Sequence, residues 1–214
     1  MFSFAWVLLW CLVFAISDRV LKPQSISYLN SPFLFSAYFL SCAFFYSGLL
    51  GAFQEVVRIV RKNSLPLLFL CLSFVLITWG IGFYFPISNE KIFEFIKSGF
   101  LYPHMTYATG FSKLADVLFQ QLLILVFHIR VQEIMGEKKK IILFFGLVFF
   151  VLHVPLVVTM GTIAFLFIIP STIAGFIFSF FILKSDRGIF YSLATHLFFY
   201  VVLGITLRYS NWTI

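Results

Sequence analysis

The stretch that decides the fold is VLFQQLLILVFHIR, residues 117–130, in which two adjacent glutamines interrupt an apolar run. The whole chain is similarly apolar: 62% of its 214 residues are hydrophobic, 11% are charged, and the mean hydropathy is +1.05. A water-soluble core of ordinary size cannot hide this much apolar surface. The sequence therefore predicts an all-α, polytopic membrane helical bundle.

The apolar runs on either side of this stretch give the number of membrane spans. A spanning helix needs about 20 apolar residues, and the first of these runs has neither a preceding positive residue nor a following small-residue cleavage site, so we interpret it as a retained helix. A tight turn is expected at residues 160–162. The predicted helices are seven, at 2–17, 33–53, 65–87, 112–129, 141–160, 162–183 and 189–207. We divide this membrane domain into N-terminal helices (1–111), core helices (112–207) and a short tail (208–214).

The basic residues predict the orientation. The second, fourth and sixth loops carry nine of them: Arg58, Arg61, Lys62, Arg130, Lys138, Lys139, Lys140, Lys184 and Arg187. The opposite side carries six: Arg19, Lys22, Lys91, Lys97, Lys113 and Arg208. By the positive-inside rule, the N-terminus and these loops face the cytoplasm. The net charge of +7 then reflects contact with anionic lipids rather than nucleic acid, and the short loops favour a prokaryotic cytoplasmic membrane.

The longest connection, residues 88–111, contains the segment NEKIFEFIKSG at 89–99. Its apolar residues are interleaved with charged ones, which is typical of a short helix lying on the membrane surface. An ordinary solvated loop is the alternative interpretation.

Four polar side chains deep in apolar runs are the first candidates for function, because polar groups in hydrocarbon are costly. Gln120 lies ten residues before Arg130, His153 thirteen after Lys140, and His196 nine after Arg187. At the rise of an α-helix, all three lie roughly 14–20 Å from the same membrane edge. Together with Gln121, they could form one site. Hydrogen bonding that only holds helices together is the simpler alternative.

Three segments carry a resemblance to a known family: VLFQQLLILVFHIR (117–130), FFVLHVP (149–155), and GFIFSFF (175–181) followed by SLATHLFFY (192–200). Their order and helix placement resemble the CPBP family of intramembrane endopeptidases, which includes the type II CAAX prenyl proteases and Abi-like proteins. That family carries EExxxR, FxxxH, and HxxxN or HxxxD. Here FxxxH is intact at Phe149 and His153, and the last histidine is His196.

The chain departs from the family pattern at four positions. Gln120 and Gln121 replace the glutamate pair, Leu125 replaces the arginine, and Tyr200 replaces the final Asn or Asp. The resemblance implies that the first glutamate and first histidine activate water, while the second histidine stabilises the oxyanion. A glutamine cannot accept a proton at physiological pH, so Gln120 cannot be a general base.

Three alternatives could replace the missing base. Asp116 lies one helical turn before Gln120 and could be a displaced base, although an ordinary interfacial aspartate is the simpler interpretation. His153 could act as the base unaided, since imidazole has a suitable pKa. A metal held by His153 and His196 is disfavoured, because neither HExxH nor a third ligand is visible, so we expect no cofactor and no metal.

The other histidines and the cysteines are weaker candidates. His104 belongs to a loop on the opposite side, and His128 is expected at a helix end, so we interpret both as interfacial. Lacking any CxxC or CxxH spacing, the cysteines are interpreted as packing residues: Cys11, Cys42 and Cys71.

The resemblance implies an endopeptidase that acts on membrane-anchored or lipidated peptides. A catalytically inactive relative that binds a membrane peptide or a partner protein is the main alternative. A transporter subunit or structural membrane protein is the third hypothesis, and it predicts that both buried histidines tolerate Phe or Leu.

Overall fold

The computed structural model describes residues 2–98 and 102–209. These residues form ten α-helices and no strand: α1 Phe2–Ile16, α2 Pro32–Leu49, α3 Phe53–Lys62, α4 Ser64–Tyr84, α5 Asn89–Ser98, α6 Tyr107–Met135, α7 Lys138–His153, α8 Leu156–Met160, α9 Phe165–Lys184 and α10 Gly188–Tyr209. Within the described residues, seven spans are long and apolar enough to cross a membrane, built on α1, α2, α4, α6, α7, α9 and α10. The predicted helical membrane bundle is confirmed.

Helix α6 is the central helix of the bundle. In an apolar 18-residue segment of α6, 78% of the residues are buried. In the corresponding segments of the other six spans, 11–44% are buried. Its 29 residues also make it the longest described helix. The predicted bounds, 112–129, were wrong at both ends. Thr106 and Thr109 form a reciprocal capping box that starts the helix at Tyr107, and Gly136, with φ +65°, follows its last residue.

Helix α1 is fixed to the middle of α6 by aromatic packing and one hydrogen bond. The indole Nε1 of Trp6 donates to the carbonyl oxygen of Leu123 at 2.8 Å, which satisfies the polar atom of a side chain with no exposed surface. The rings of Trp10 and Phe149 meet edge to face at 5.8 Å. Through these contacts α1 packs against α6 and forms one wall of a cavity between the helices.

Helices α7 and α9 approach closely where both carry glycine. A Cβ built on Gly175 would lie 2.8 Å from Cβ of Phe149 and 3.3 Å from Cα of Gly146. Small residues allow such close helix packing in membranes. This contact fixes α7 just before the turn that carries Phe149 and His153.

The connection between the fifth and sixth spans has two breaks, and the second lies at the predicted turn. Helix α7 ends at His153, and Pro155 precedes the short helix α8. Proline cannot donate the N–H that would continue α7, so the chain breaks there. A second break follows at Gly161, with φ +59°, and a 3₁₀ segment at Gly161–Ala164 leads into α9.

Two connecting segments are helical. The second loop of the chain, which is the first of the three basic loops, is largely α3. This helix carries an ion pair between Glu55 and Arg58. The longer connection contains α5, as the helical interpretation of that segment predicts. Residue 99 of the quoted segment lies outside the described residues.

The loops predicted to share a membrane side do meet at one end of the bundle. Arg130 Nε, near the end of α6, donates to the carbonyl oxygen of Leu50 at 2.9 Å. Lys138 Nζ donates to the carbonyl oxygen of Leu183 at 2.7 Å. The second, fourth and sixth loops therefore lie together, which we call the basic end.

Candidate functional site

A cavity of about 490 Å³ lies between α1, α6, α7, α9 and α10. Gln120, His153 and His196 line it, so the structure brings three of the four predicted polar residues together. Its walls are largely apolar and aromatic, and include Trp10, Phe14, Phe149, Leu152, Phe178 and Phe199. Cavities of this size and character bind small molecules or short chain segments.

The cavity reaches the surface at the end of the bundle opposite the basic end. Asp18 and Lys22, which follow α1, contribute to its lining there and form an ion pair of 2.6 Å. Their side chains are 57% and 43% exposed. A ligand could therefore enter from this side without disturbing α6.

Gln121 does not line the cavity, but it orients His196 by a hydrogen bond to the imidazole. Its Nε2 donates to Nδ1 of His196 at 2.9 Å, and its Oε1 accepts from the Ser192 hydroxyl at 2.7 Å. Because an amide nitrogen only donates, Nδ1 of His196 must accept, and the imidazole proton lies on Nε2. The Gln121 contact thus makes His196 Nε2–H a hydrogen-bond donor.

His153 has the opposite tautomer. Its Nδ1 lies 2.7 Å from the carbonyl oxygen of Phe149, one turn earlier on α7. A carbonyl only accepts, so Nδ1 carries the proton and Nε2 is left as an acceptor. The Phe149 ring packs against the imidazole at 4.9 Å between centroids. Phe149, the first residue of the FxxxH pattern, therefore fixes His153 through both its ring and its carbonyl oxygen.

Asp116 is the centre of a buried polar cluster. Its Oδ1 accepts from Nε2 of Gln120 at 2.8 Å. Its Oδ2 accepts from Nζ of Lys113 at 2.7 Å and from the hydroxyl of Tyr28 at 2.8 Å. Asp116 is only 1% exposed, so its interpretation as an ordinary interfacial aspartate was wrong.

Tyr28 holds this cluster from the segment between α1 and α2. Burial, followed by the neighbouring carboxylate of Asp116, raises the pKa of Tyr28 well above its usual value. The phenol therefore stays protonated and keeps donating to Asp116.

Tyr200 joins the cluster to His196. Its ring lies under the Lys113 ammonium, 3.8 Å from Nζ to the ring centroid, which is a close cation–π contact. The same ring is stacked with His196 at 5.4 Å and 25°. The Tyr200 ring thus contacts both the lysine and the histidine.

Comparisons with protein-family models, curated proteins and solved structures give no match for this chain.

The two remaining histidines lie outside the cavity. His128 is 1% exposed and lies inside α6, so its expected interfacial position was wrong. Its Nδ1 contacts the carbonyl oxygen of Ile124, and its Nε2 contacts the hydroxyl of Ser179 on α9. It therefore ties α6 to α9. His104 lies in a 3₁₀ segment whose backbone binds Arg208.

Sequence reasoning missed three residues of the site: Tyr28, Lys113 and Ser192. Lys113 and Asp116 have the three-residue spacing of a helical ion pair, and the capping pattern at Thr106 would have placed both inside α6. Tyr28 gave no signal, because it meets Asp116 from 88 residues away.

Metal ligation finds no support in the side chains present. Among the described residues, His, Cys, Asp and Glu form no group of three or more that could hold a metal ion. Two histidines of opposite tautomer and a fully hydrogen-bonded aspartate suit proton transfer and hydrogen bonding to a ligand.

Proposed function

We propose that the cavity binds a segment of a membrane-anchored or lipidated peptide, and that the chain is a relative of the CPBP intramembrane endopeptidases. The observation that carries this proposal is the combination of apolar walls with Gln120, His153 and His196 in one cavity. A peptide offers amide donors and acceptors beside apolar side chains, and each would find a partner there.

The position of the cavity in the bundle supports a membrane substrate. Its walls come from spans α1, α6, α7, α9 and α10, and its mouth lies at one end of them. A lipid-anchored peptide at the membrane surface could place its apolar part against the aromatic wall. Its backbone would then lie beside the two histidines.

Hydrolysis is a second candidate function, and the opposite tautomers of the histidines favour it. His153 Nε2 would take a proton from water as the water oxygen attacks the peptide carbonyl carbon. His196 Nε2–H would donate to the resulting oxyanion. As the C–N bond breaks, the proton held by His153 would pass to the departing amine.

Asp116 is unsuited to be the base in this scheme. Three donors bind its two oxygens, from Tyr28, Lys113 and Gln120. Asp116 would act as a positioning residue that orients the amide of Gln120.

The protein is an integral membrane protein, and we further propose that its N-terminus and basic end face the cytoplasm of a prokaryotic cell. Of the six basic residues counted on the opposite side, Lys113 is largely buried and Arg208 is 2% exposed. Neither of these two side chains is available to lipid headgroups, which strengthens the positive-inside bias. The cavity mouth would then open away from the cytoplasm.

Purified protein in nanodiscs, incubated with a quenched fluorogenic library of lipid-modified peptides, tests both functions. Fluorescence gain reports cleavage, and anisotropy of an unquenched labelled set reports binding. The variants are His153→Ala, Gln120→Glu and, as a histidine control outside the cavity, His104→Ala.

Binding by the wild type that weakens in His153→Ala but not in His104→Ala would support the peptide site. Turnover with the same pattern would add hydrolysis. Binding without turnover, with turnover gained in Gln120→Glu, would identify an inactive relative. Absence of saturable binding across the library would contradict the proposal.

A further inference from the structure

We propose that the cavity recognises the free C-terminal carboxylate of its peptide, and that Lys113 is the residue that binds it. This inference rests on the proposed function, because it names the part of the peptide that the cavity selects. Four observations carry it: the exposure of the Lys113–Asp116 pair, the use of its hydrogen bonds, the neighbouring donors, and the distribution of charge along the cavity.

Lys113 is the more exposed member of the Lys113–Asp116 pair. Both residues contribute to the lining, but the side chain of Lys113 is 12% exposed and that of Asp116 only 1%. A ligand in the cavity therefore meets the side chain of Lys113 more than that of Asp116. In the low-dielectric surroundings of a membrane protein, the ammonium of Lys113 would attract an anionic group there.

The hydrogen bonds of the pair are used unequally. Asp116 receives three donors on its two oxygens, from Tyr28, Lys113 and Gln120. The ammonium of Lys113 has three N–H bonds, of which one goes to Asp116. Its contact with the Tyr200 ring stabilises the charge without consuming a specific N–H. Lys113 thus keeps donor capacity for an anionic ligand.

A second donor lines the same cavity and packs on the same Tyr200 ring. His196, stacked on Tyr200, presents Nε2–H because Gln121 occupies its Nδ1. A carboxylate has two oxygens and accepts several hydrogen bonds. The Lys113 ammonium would bind the carboxylate, and the His196 N–H would donate to a carbonyl oxygen of the same peptide end.

The other cation of the cavity does not compete for this role. Lys22, at the mouth, is bound to Asp18 at 2.6 Å, and both side chains are largely in solvent. Solvent screens such a pair strongly. Lys113 is therefore the one cavity cation of the described residues that meets a ligand away from bulk water.

A peptide fits the cavity better than a simple fatty acid. A fatty acid has a single polar group. Its hydrocarbon chain would therefore place methylenes against every other polar atom of the cavity. Here Gln120 and His153 also line the cavity, and burying their polar atoms against methylenes is costly. A peptide end supplies amides for these residues as well as the carboxylate for Lys113.

The test compares two N-acylated fluorescent peptides of identical apolar sequence, one ending in a free carboxylate and one in a carboxamide. Their affinities are measured by anisotropy with wild-type protein in nanodiscs, and palmitate is added as a competitor. We expect the acid to bind at least about tenfold more tightly than the amide, since a charge-assisted hydrogen bond is lost in the amide.

The matched variants are Lys113→Met and Lys140→Met. Lys140 pairs with Glu137 at the same three-residue spacing, but at the exposed basic end. We expect Lys113→Met to bind acid and amide equally, and Lys140→Met to keep the wild-type preference. The wild-type comparison of acid with amide remains decisive if Lys113→Met does not fold.

Each other outcome overturns the inference. Equal wild-type affinity for acid and amide would refute carboxylate recognition while leaving the peptide site intact. Palmitate displacing the acid peptide at equal or lower concentration would assign the site to a fatty acid. A preference retained in Lys113→Met would exclude Lys113, and lack of binding by both peptides would refute the proposed function itself.

Discussion

The buried pair Lys113–Asp116 shows what a membrane protein must do to keep a charge next to a functional cavity. Neither side chain faces bulk water, and the pair is completed by Tyr28, Gln120 and the ring of Tyr200. Such an arrangement stabilises the fold only while all its partners are present, because one unpaired buried charge is far more costly than a well-made pair.

A double-mutant cycle on this pair should show strong coupling. Asp116→Asn leaves the Lys113 ammonium without its counter-charge, and we expect a loss of about 3–5 kcal/mol in the free energy of unfolding. Combining it with Lys113→Met should recover much of that loss. Thermal unfolding in detergent measures the effect, and additive losses in the double variant would show that the pair does not act as a unit.

His104 should make stability depend on pH. Burial, followed by the nearby charge of Arg208, lowers the pKa of His104 from its usual value of 6.5. The unfolded chain then binds a proton more readily than the folded one. The stabilising contribution of neutral His104 is complete above pH 6.5 and declines as the pH falls through that value towards the lowered folded pKa.

Melting temperatures of the wild type and His104→Gln, compared at about pH 7.5 and about pH 5.5, check this sign. The carboxyl groups titrate in both proteins, so only the difference between them counts. We expect acidification to lower the melting temperature of the wild type more than that of His104→Gln. Equal decreases in melting temperature would mean that His104 does not contribute to the pH dependence of stability.

Single residues differ in how far the sequence could predict their place. The shared depth of Gln120, His153 and His196 followed from helix rise alone, and all three side chains line one cavity. The partner of Asp116 in the first connection could not be predicted, because Tyr28 approaches through a turn whose path depends on packing between α1, α2 and α6.

At the scale of the elements, helix ends were the weakest part of the sequence prediction. Apolar runs locate helix interiors, but α6 continues through polar residues at both ends. Its first turns are buried among other helices, whereas its last residues are exposed, with Ile134 at 71%. Conversely, α7 ends inside an apolar run because of Pro155. Hydropathy is blind to both effects, whereas capping residues and proline reveal them.

The contact of α7 with α9 gives a prediction about glycine. Gly175→Ala would place Cβ 2.8 Å from Cβ of Phe149, so one helix must shift. We expect a loss of about 1–3 kcal/mol in stability, typical of overpacking. We also expect weaker peptide binding, because the shift moves Phe149 and, with it, His153.

Gly80→Ala in α4 is the matched control. A Cβ there meets nothing within 4 Å, so its stability should be unchanged or slightly increased by the better helix propensity of alanine. Melting temperatures and peptide affinity of both variants are compared in nanodiscs. Equal behaviour would argue against close packing at Gly175.

At the scale of the whole molecule, the cavity and the basic loops lie at opposite ends, and thiol labelling can test how they are oriented. Cys11 lines the cavity and is exposed. In a Cys42→Ser, Cys71→Ser background, a charged, membrane-impermeant thiol reagent should reach Cys11 only through the mouth beside Lys22. We therefore expect labelling from outside the cell.

A second reporter makes the orientation test independent of the cavity. Asp186→Cys lies at the basic end and is placed in a background with Cys11→Ser, Cys42→Ser and Cys71→Ser. It should react only after the cytoplasmic side is opened. Reaction of both sites from the same side would contradict the proposed topology, and reversed sides would place the N-terminus outside.

The central position of α6 also has a consequence for biosynthesis. This helix carries Lys113, Asp116, Gln120 and Gln121, and its partners lie both earlier in the chain, in α1 and α2, and much later, in α10. While the ribosome is still making α10, Gln121 lacks His196 and Ser192. A nascent chain interrupted before residue 192 should therefore hold α6 loosely at the insertion machinery, where membrane quality-control proteases or chaperones would have access to it.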